Sequence, residues 1–224
     1  MTDSVGLRRL RITLGYTFLL LISTTVLAFL SDPTVDQVML RASTNLHNLL
    51  HGHIGTLLSS AFFIGTGLEA WLILAALGAL LALTEMRFGG RRLVGIFLAG
   101  HVGATLIVAV GLWVGVREGW LPDSIFDAED VGISYGAMAL IGALVAVLPP
   151  RFRWFWYIFW PLVAVDGVFV GQTFTNVGHL LSVLIGLSLG FFMIRRRSAP
   201  RPLSIVECGW LAVSVILGGS LLLG

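Results

Sequence analysis

Lysine is missing from these 224 residues: all 14 basic residues are arginine, set against 12 acidic ones. Charged residues make up only 12% of the chain and hydrophobic residues 57%, with a mean hydropathy of +0.94. A soluble domain of this size needs far more polar surface, so the composition specifies an integral membrane protein. The arginines fall in short groups beside apolar runs instead of forming one basic patch, which argues against a nucleic-acid partner. The single cysteine, Cys208, rules out an intrachain disulfide. With no C-x-x-C or paired Cys/His spacing, no metal centre or other cofactor is expected. The first apolar run lacks an A-x-A cleavage pattern before Ser31 and is long enough to stay in the membrane, so it reads as a retained anchor helix.

Apolar stretches able to cross about 30 Å of hydrocarbon lie at 12–30, 68–84, 93–115, 131–148, 154–171, 177–194 and 204–223. No internal repeat or linker divides them, so residues 1–224 form one polytopic membrane domain. Between the first two spans, residues 31–67 read as an interfacial segment, because "NLHNLLHGHIGTLLSSAFF" is amphipathic but rich in histidine and hydroxyls. Arginines recur at alternate span ends: Arg8, Arg9 and Arg11, then Arg87, Arg91 and Arg92, then Arg151 and Arg153, then Arg195, Arg196, Arg197 and Arg201. The opposite loops carry mainly acids, with Arg41 and Arg117 as exceptions. The positive-inside rule then predicts a multi-pass cell-membrane protein with a cytoplasmic N-terminus and an extracytoplasmic C-terminus.

Two polar residues sit at matching depth. Ser134 lies four residues past Asp130 at the outer end of the fourth span, and His179 lies three past Asn176 at the outer end of the sixth. His179, Ser182, Gly186 and Gly190 share one helix face, and small residues below the imidazole permit close packing. Ser134 shares its face with Ala137, Met138 and Ile141, whereas Gly132 and Gly136 point away and suit packing against another helix. If the two faces meet, the imidazole can take the serine proton and activate the hydroxyl. The bland readings are a serine bonded back to a helical carbonyl and a neutral histidine in an interhelical bond.

These residues resemble the rhomboid family of intramembrane serine proteases. "GISYGAMALIG" is similar to the family's fourth-helix G-x-S-G stretch, and "GHLLSVLIG" to its sixth-helix H-x-x-G-x-x-x-G. The resemblance implies an all-α membrane fold, a rhomboid-like six-helix core with a C-terminal seventh helix, and a Ser134/His179 dyad. "HIGTLLSSAFFIG" is similar to the segment carrying H-x-x-x-N, which makes His53 an oxyanion donor but puts Leu57 where the family has asparagine. Losing such a donor costs about 2.7–4 kcal/mol of transition-state stabilisation. Tyr135 replaces the glycine after the family's serine, either blocking entry or supplying an auxiliary phenol donor. The span from Glu69 to Glu85 departs from ordinary members, and the chain looks most like divergent actinobacterial rhomboid-like proteins.

Other polar residues admit further roles. Asp166 in the fifth span, which in the family borders the lateral substrate gate, reads as hydrated from the outer cavity. His101 reads as a buried interhelical hydrogen bond, and His47, His51 and His53 as surface residues rather than metal ligands. The run "RFRWFWYIFW" reads as an aromatic interfacial belt. The leading expectation is hydrolysis of transmembrane or membrane-proximal peptide bonds near the outer face, with lipid and a membrane-protein substrate as partners. The alternatives are an inactive pseudoprotease that binds client helices, and a small transporter or proton channel using Asp166, His101 and His179.

Overall fold

The computed structural model describes residues 10–196 and 201–223; Arg8, Arg9 and Arg197 of the topology argument lie outside the described residues. The expected all-helical architecture is observed, and no strand occurs among the described residues. Among the described residues, six helices are long and apolar enough to cross a membrane: α1 (Arg11–Ala28), α5 (Gly67–Phe88), α6 (Gly90–Arg117), α8 (Pro150–Gly171), α9 (Phe174–Arg195) and α10 (Ile205–Leu223). Within hydrocarbon every backbone N–H and C=O must be paired inside its own segment, which is why these apolar runs become uninterrupted helices. The loop after α1 carries three short helices, α2 (Asp32–Ala42), α3 (Leu46–Leu50) and α4 (Thr56–Ser59).

The fourth apolar stretch is shorter than its hydropathy suggests. It forms α7 (Ser134–Ala143), which tightens into a 3₁₀ turn over Leu144–Val147 before the prolines. Residues 131–133 approach it as non-helical chain, with Gly132 at φ +123° and its N–H bonded to the Ser60 carbonyl at 3.0 Å. Only glycine adopts that backbone without strain. Irregular backbone at this depth is tolerated because protein, not lipid, surrounds it.

Helix α7 is the centre of the bundle: residues 135–143 are all buried, and it packs chiefly on α9 and α6. Small residues set these distances. A Cβ on Gly142 would lie 2.6 Å from the Val183 carbonyl, one on Gly186 would overlap the Ala139 backbone, and one on Gly100 would overlap Ala139 Cβ. With lipid as apolar as the side chains, such close approach is what holds transmembrane helices together.

Two carboxylates tie helix ends at the arginine-rich end of the bundle. Glu85 of α5 accepts the Ile12 and Thr13 N–H groups at 3.0 and 2.8 Å, filling the vacancies in the first turn of α1. Glu207, 1% exposed, takes a bidentate pair from Arg201 at 3.0 and 2.7 Å and the Ser204 N–H at 2.9 Å, with Arg87 at 3.6 Å. This anchors α10 to α5 at one end. At the other, α10 runs against α8, where a Cβ on Gly167 would meet the Leu222 carbonyl at 2.5 Å. The seventh helix therefore lies along both α5 and α8 and also reaches α7.

The aromatic run is not a uniform belt. Trp154, Phe155 and Ile158 are exposed, but Trp156 and Trp160, one turn apart, are buried, and Trp156 donates to the Ile141 carbonyl at 2.9 Å. A helix beginning at Pro150 turns every fourth residue of the run inward, so composition alone could not separate the two sets.

Candidate functional site

The loop between α1 and α5 enters the bundle. Its 3₁₀ turn, Ser60–Phe62, receives Tyr16 Oη at the Ala61 carbonyl and Ser23 Oγ at the Phe62 carbonyl. Ser60 Oγ sits 3.1 Å from His101 Nε2, both side chains buried. His101 thus makes a buried tie, to the inserted loop instead of to a neighbouring long helix. Further out, Asp130 is clamped to the same loop: its N–H donates to Ser43 Oγ at 2.8 Å and its carbonyl accepts the Thr44 N–H at 3.0 Å. Together these bonds fix the chain that leads into α7.

Ser134 is the first residue of α7, with Ile133 as N-cap and no side chain capping the first turn. His179 lies six residues into α9, 4% exposed, and neither of its ring nitrogens has a hydrogen-bond partner. The group facing the imidazole is Tyr135, whose ring meets it edge to face with centroids 5.5 Å apart. The same ring packs against the backbone of Gly178, where a Cβ would collide with it. Tyr135 Oη makes no hydrogen bond, although Asp130 and Thr175 lie close enough to act on it electrostatically. Ser134, one position and about 100° of helix rotation away from Tyr135, makes no hydrogen bond to His179.

The other candidate residues are dispersed. Ser182 donates to the Gly100 carbonyl at 3.2 Å, joining α9 to α6. Gly186 packs on α7, and Gly136 is covered by the Phe97 ring of α6. His53 is exposed, with Nδ1 3.3 Å from Asn48 Oδ1. Asp166 is exposed on α8 and makes no hydrogen bond or ion pair among the described residues. His47 stacks on His51 and lies 3.6 Å from Asp127. No hydrogen bond links Asp166, His101 and His179.

Burial raises the Asp130 carboxyl to about 6, above the ordinary aspartate range, partly opposed by the nearby Tyr135 and Thr44 hydroxyls. A carboxyl whose folded pKa exceeds its unfolded one binds more protons when folded, so stability falls as pH rises from about 4 to above 6. The shift alone would be worth roughly 3 kcal/mol if fully shielded; for a half-buried group about 1–2 kcal/mol is expected. Asp130→Asn should therefore raise the unfolding midpoint in detergent at pH 7.5 and leave it unchanged at pH 4. A midpoint that responds equally at both pH values would contradict this.

Among the described residues, six membrane-length apolar helices, a loop inserted between them and a short central helix entered by irregular chain define a polytopic α-helical membrane protein. Residues 7–199 match the family described as rhomboid-like protein. The chain belongs to the rhomboid-like family, and α10 lies beyond the matched segment. No curated protein and no solved structure matches it.

Proposed function

We propose that this chain is a non-catalytic rhomboid-like protein that holds transmembrane helices of client proteins. The observation that carries this reading is the environment of His179. A general base must come within about 2.6–3.2 Å of the group it deprotonates, or reach it through one water, and this imidazole faces a tyrosine ring with both nitrogens unpartnered. The contact favours a motif register in which Gly136 takes the last glycine of G-x-S-G. Tyr135 then stands where family proteases carry serine. Leu57 in place of the amide donor agrees with the same reading.

Helix α10 supports the client-binding half. It is seated along α5 and α8, the fifth-span helix that borders the lateral gate in the family, through glycine contacts at Gly167 and Gly218. A groove that accepts one apolar helix through small residues suits another of the same kind. The arginine asymmetry supports a cytoplasmic N-terminus and an extracytoplasmic C-terminus.

Hydrolysis is the second reading, favoured by one feature: Ser134 heads a helix whose first-turn N–H groups lack a side-chain cap, a ready oxyanion site. A fluorophosphonate probe applied in native membranes separates the two. Labelling of the native protein no greater than that of Ser134→Ala and His179→Ala is expected; native labelling lost in both variants would establish hydrolysis. For the client half, a labelled single-span reporter helix should give saturable energy transfer in nanodiscs. An excess of the unlabelled helix should suppress it.

A further inference from the structure

A groove of about 400 Å³ opens between the start of α6 and the end of α9, at the arginine-rich end of the bundle. From α6 it is lined by Arg91, Arg92, Gly95 and Ile96, and on the other side by Phe192 of α9 and Arg196 just beyond its end. The α6 residues recur at i, i+1, i+4 and i+5, one face of a helix. The three arginines are exposed, and none makes an ion pair or side-chain hydrogen bond among the described residues. No acidic residue lines the groove.

Two further facts make this an uncompensated site. Arg91 and Arg92 sit in the first turn of α6, which contains no acid, and the partial positive charge of a helix N-terminus disfavours cations there. Three guanidinium groups beside that terminus repel one another unless an anion joins them. Below them the groove is apolar, and a Cβ on Gly95 would meet nothing within 4 Å. Phe192, 57% exposed, forms the outer wall. Charge at the membrane edge above an open apolar slot matches one amphipathic molecule: a phosphate head with an acyl chain beneath it.

We infer that this groove is a binding site for an anionic phospholipid, its phosphate held by Arg91, Arg92 and Arg196 and one acyl chain lying over Gly95. Guanidinium forks suit phosphate oxygens, and basic pockets between transmembrane helices select anionic lipids. Because the groove lies at the opposite end of α9 from His179, the site stands apart from the client-binding reading.

The test is native mass spectrometry of the detergent-solubilised protein titrated with dioleoyl-phosphatidylglycerol or dioleoyl-phosphatidylcholine. Each basic side chain near a lipid surface contributes about fivefold, so a preference for phosphatidylglycerol of about tenfold or more is expected. Arg91→Gln/Arg92→Gln/Arg196→Gln should abolish that preference. Gly95→Leu keeps every charge and fills open space, so it should fold and still lose lipid. Equal binding of the two lipids by the native protein, or a preference that survives in both variants, would overturn the site. Displacement of phosphatidylglycerol by millimolar inorganic phosphate, with Gly95→Leu unaffected, would reduce it to a phosphate site and also overturn the lipid assignment.

Discussion

Substituting leucine for Gly186 is expected to prevent accumulation of folded protein, with destabilisation above about 3 kcal/mol. Overpacking of a core usually costs 1–3 kcal/mol because side chains can shift. At Gly186 the obstacle is the backbone of Ala139, which cannot move without displacing α7. Residues 135–143 of that helix are all buried, and it also packs on α6, where Gly100 lies against Ala139 with no spare room. The collision therefore propagates across three helices. Gly111→Leu supplies the control: it adds the same side chain where a Cβ would meet nothing within 4 Å, and its midpoint in detergent should stay within about 0.5 kcal/mol of native. Comparable behaviour of the two variants would show that close approach at α7 is not what holds the bundle.

The features of this fold legible in the sequence were those that lipid dictates. Uninterrupted apolar runs had to become helices, and Ser182, Gly186 and Gly190 on one face of the sixth run announced a close contact. The fourth run shows where hydropathy loses information. Val131, Gly132 and Ile133 are as apolar as a helix needs, yet they stay outside the helix because Gly132 turns at positive φ and bonds to Ser60. That bond depends on a loop residue 72 positions earlier, which no local period reports. The divided aromatic run is a similar case, since burial of Trp156 and Trp160 depends on where α8 begins. Glu207 gave no signal in isolation, for its partners Arg87 and Arg201 come from different segments.

At the candidate site, the meeting of α7 and α9 was legible and azimuth was not. Counting from the span ends brought Ser134 and His179 to a common level, but it could not say which of two adjacent residues faces the imidazole. Two anchoring glycines, Gly132 and Gly136, straddle Ser134 symmetrically, and each is compatible with a different register of the serine motif. The structure aims Tyr135, with its ring against His179 and Gly178. Gly178 carried a usable hint, since a glycine directly before a membrane histidine leaves room for a large ring.

Tyr135→Ser is accordingly expected to create reactivity that the native chain lacks. If position 135 is the one turned toward His179, a serine there gains an imidazole neighbour in a space vacated by the phenol, at the head of a helix whose N–H groups favour a developing oxyanion. Fluorophosphonate labelling should appear in Tyr135→Ser, map to residue 135 by mass spectrometry, and vanish when His179→Ala is added. Tyr135→Ala decides whether the ring is merely an obstruction. It opens the same space without adding a hydroxyl, so a masked nucleophile at Ser134 would then be labelled, whereas a misdirected one would not. Labelling of Tyr135→Ala at Ser134 would mean that the tyrosine guards a working dyad. Labelling confined to residue 135 in Tyr135→Ser would mean that one rotation of about 100° along α7 separates Ser134 from the position that reaches the imidazole.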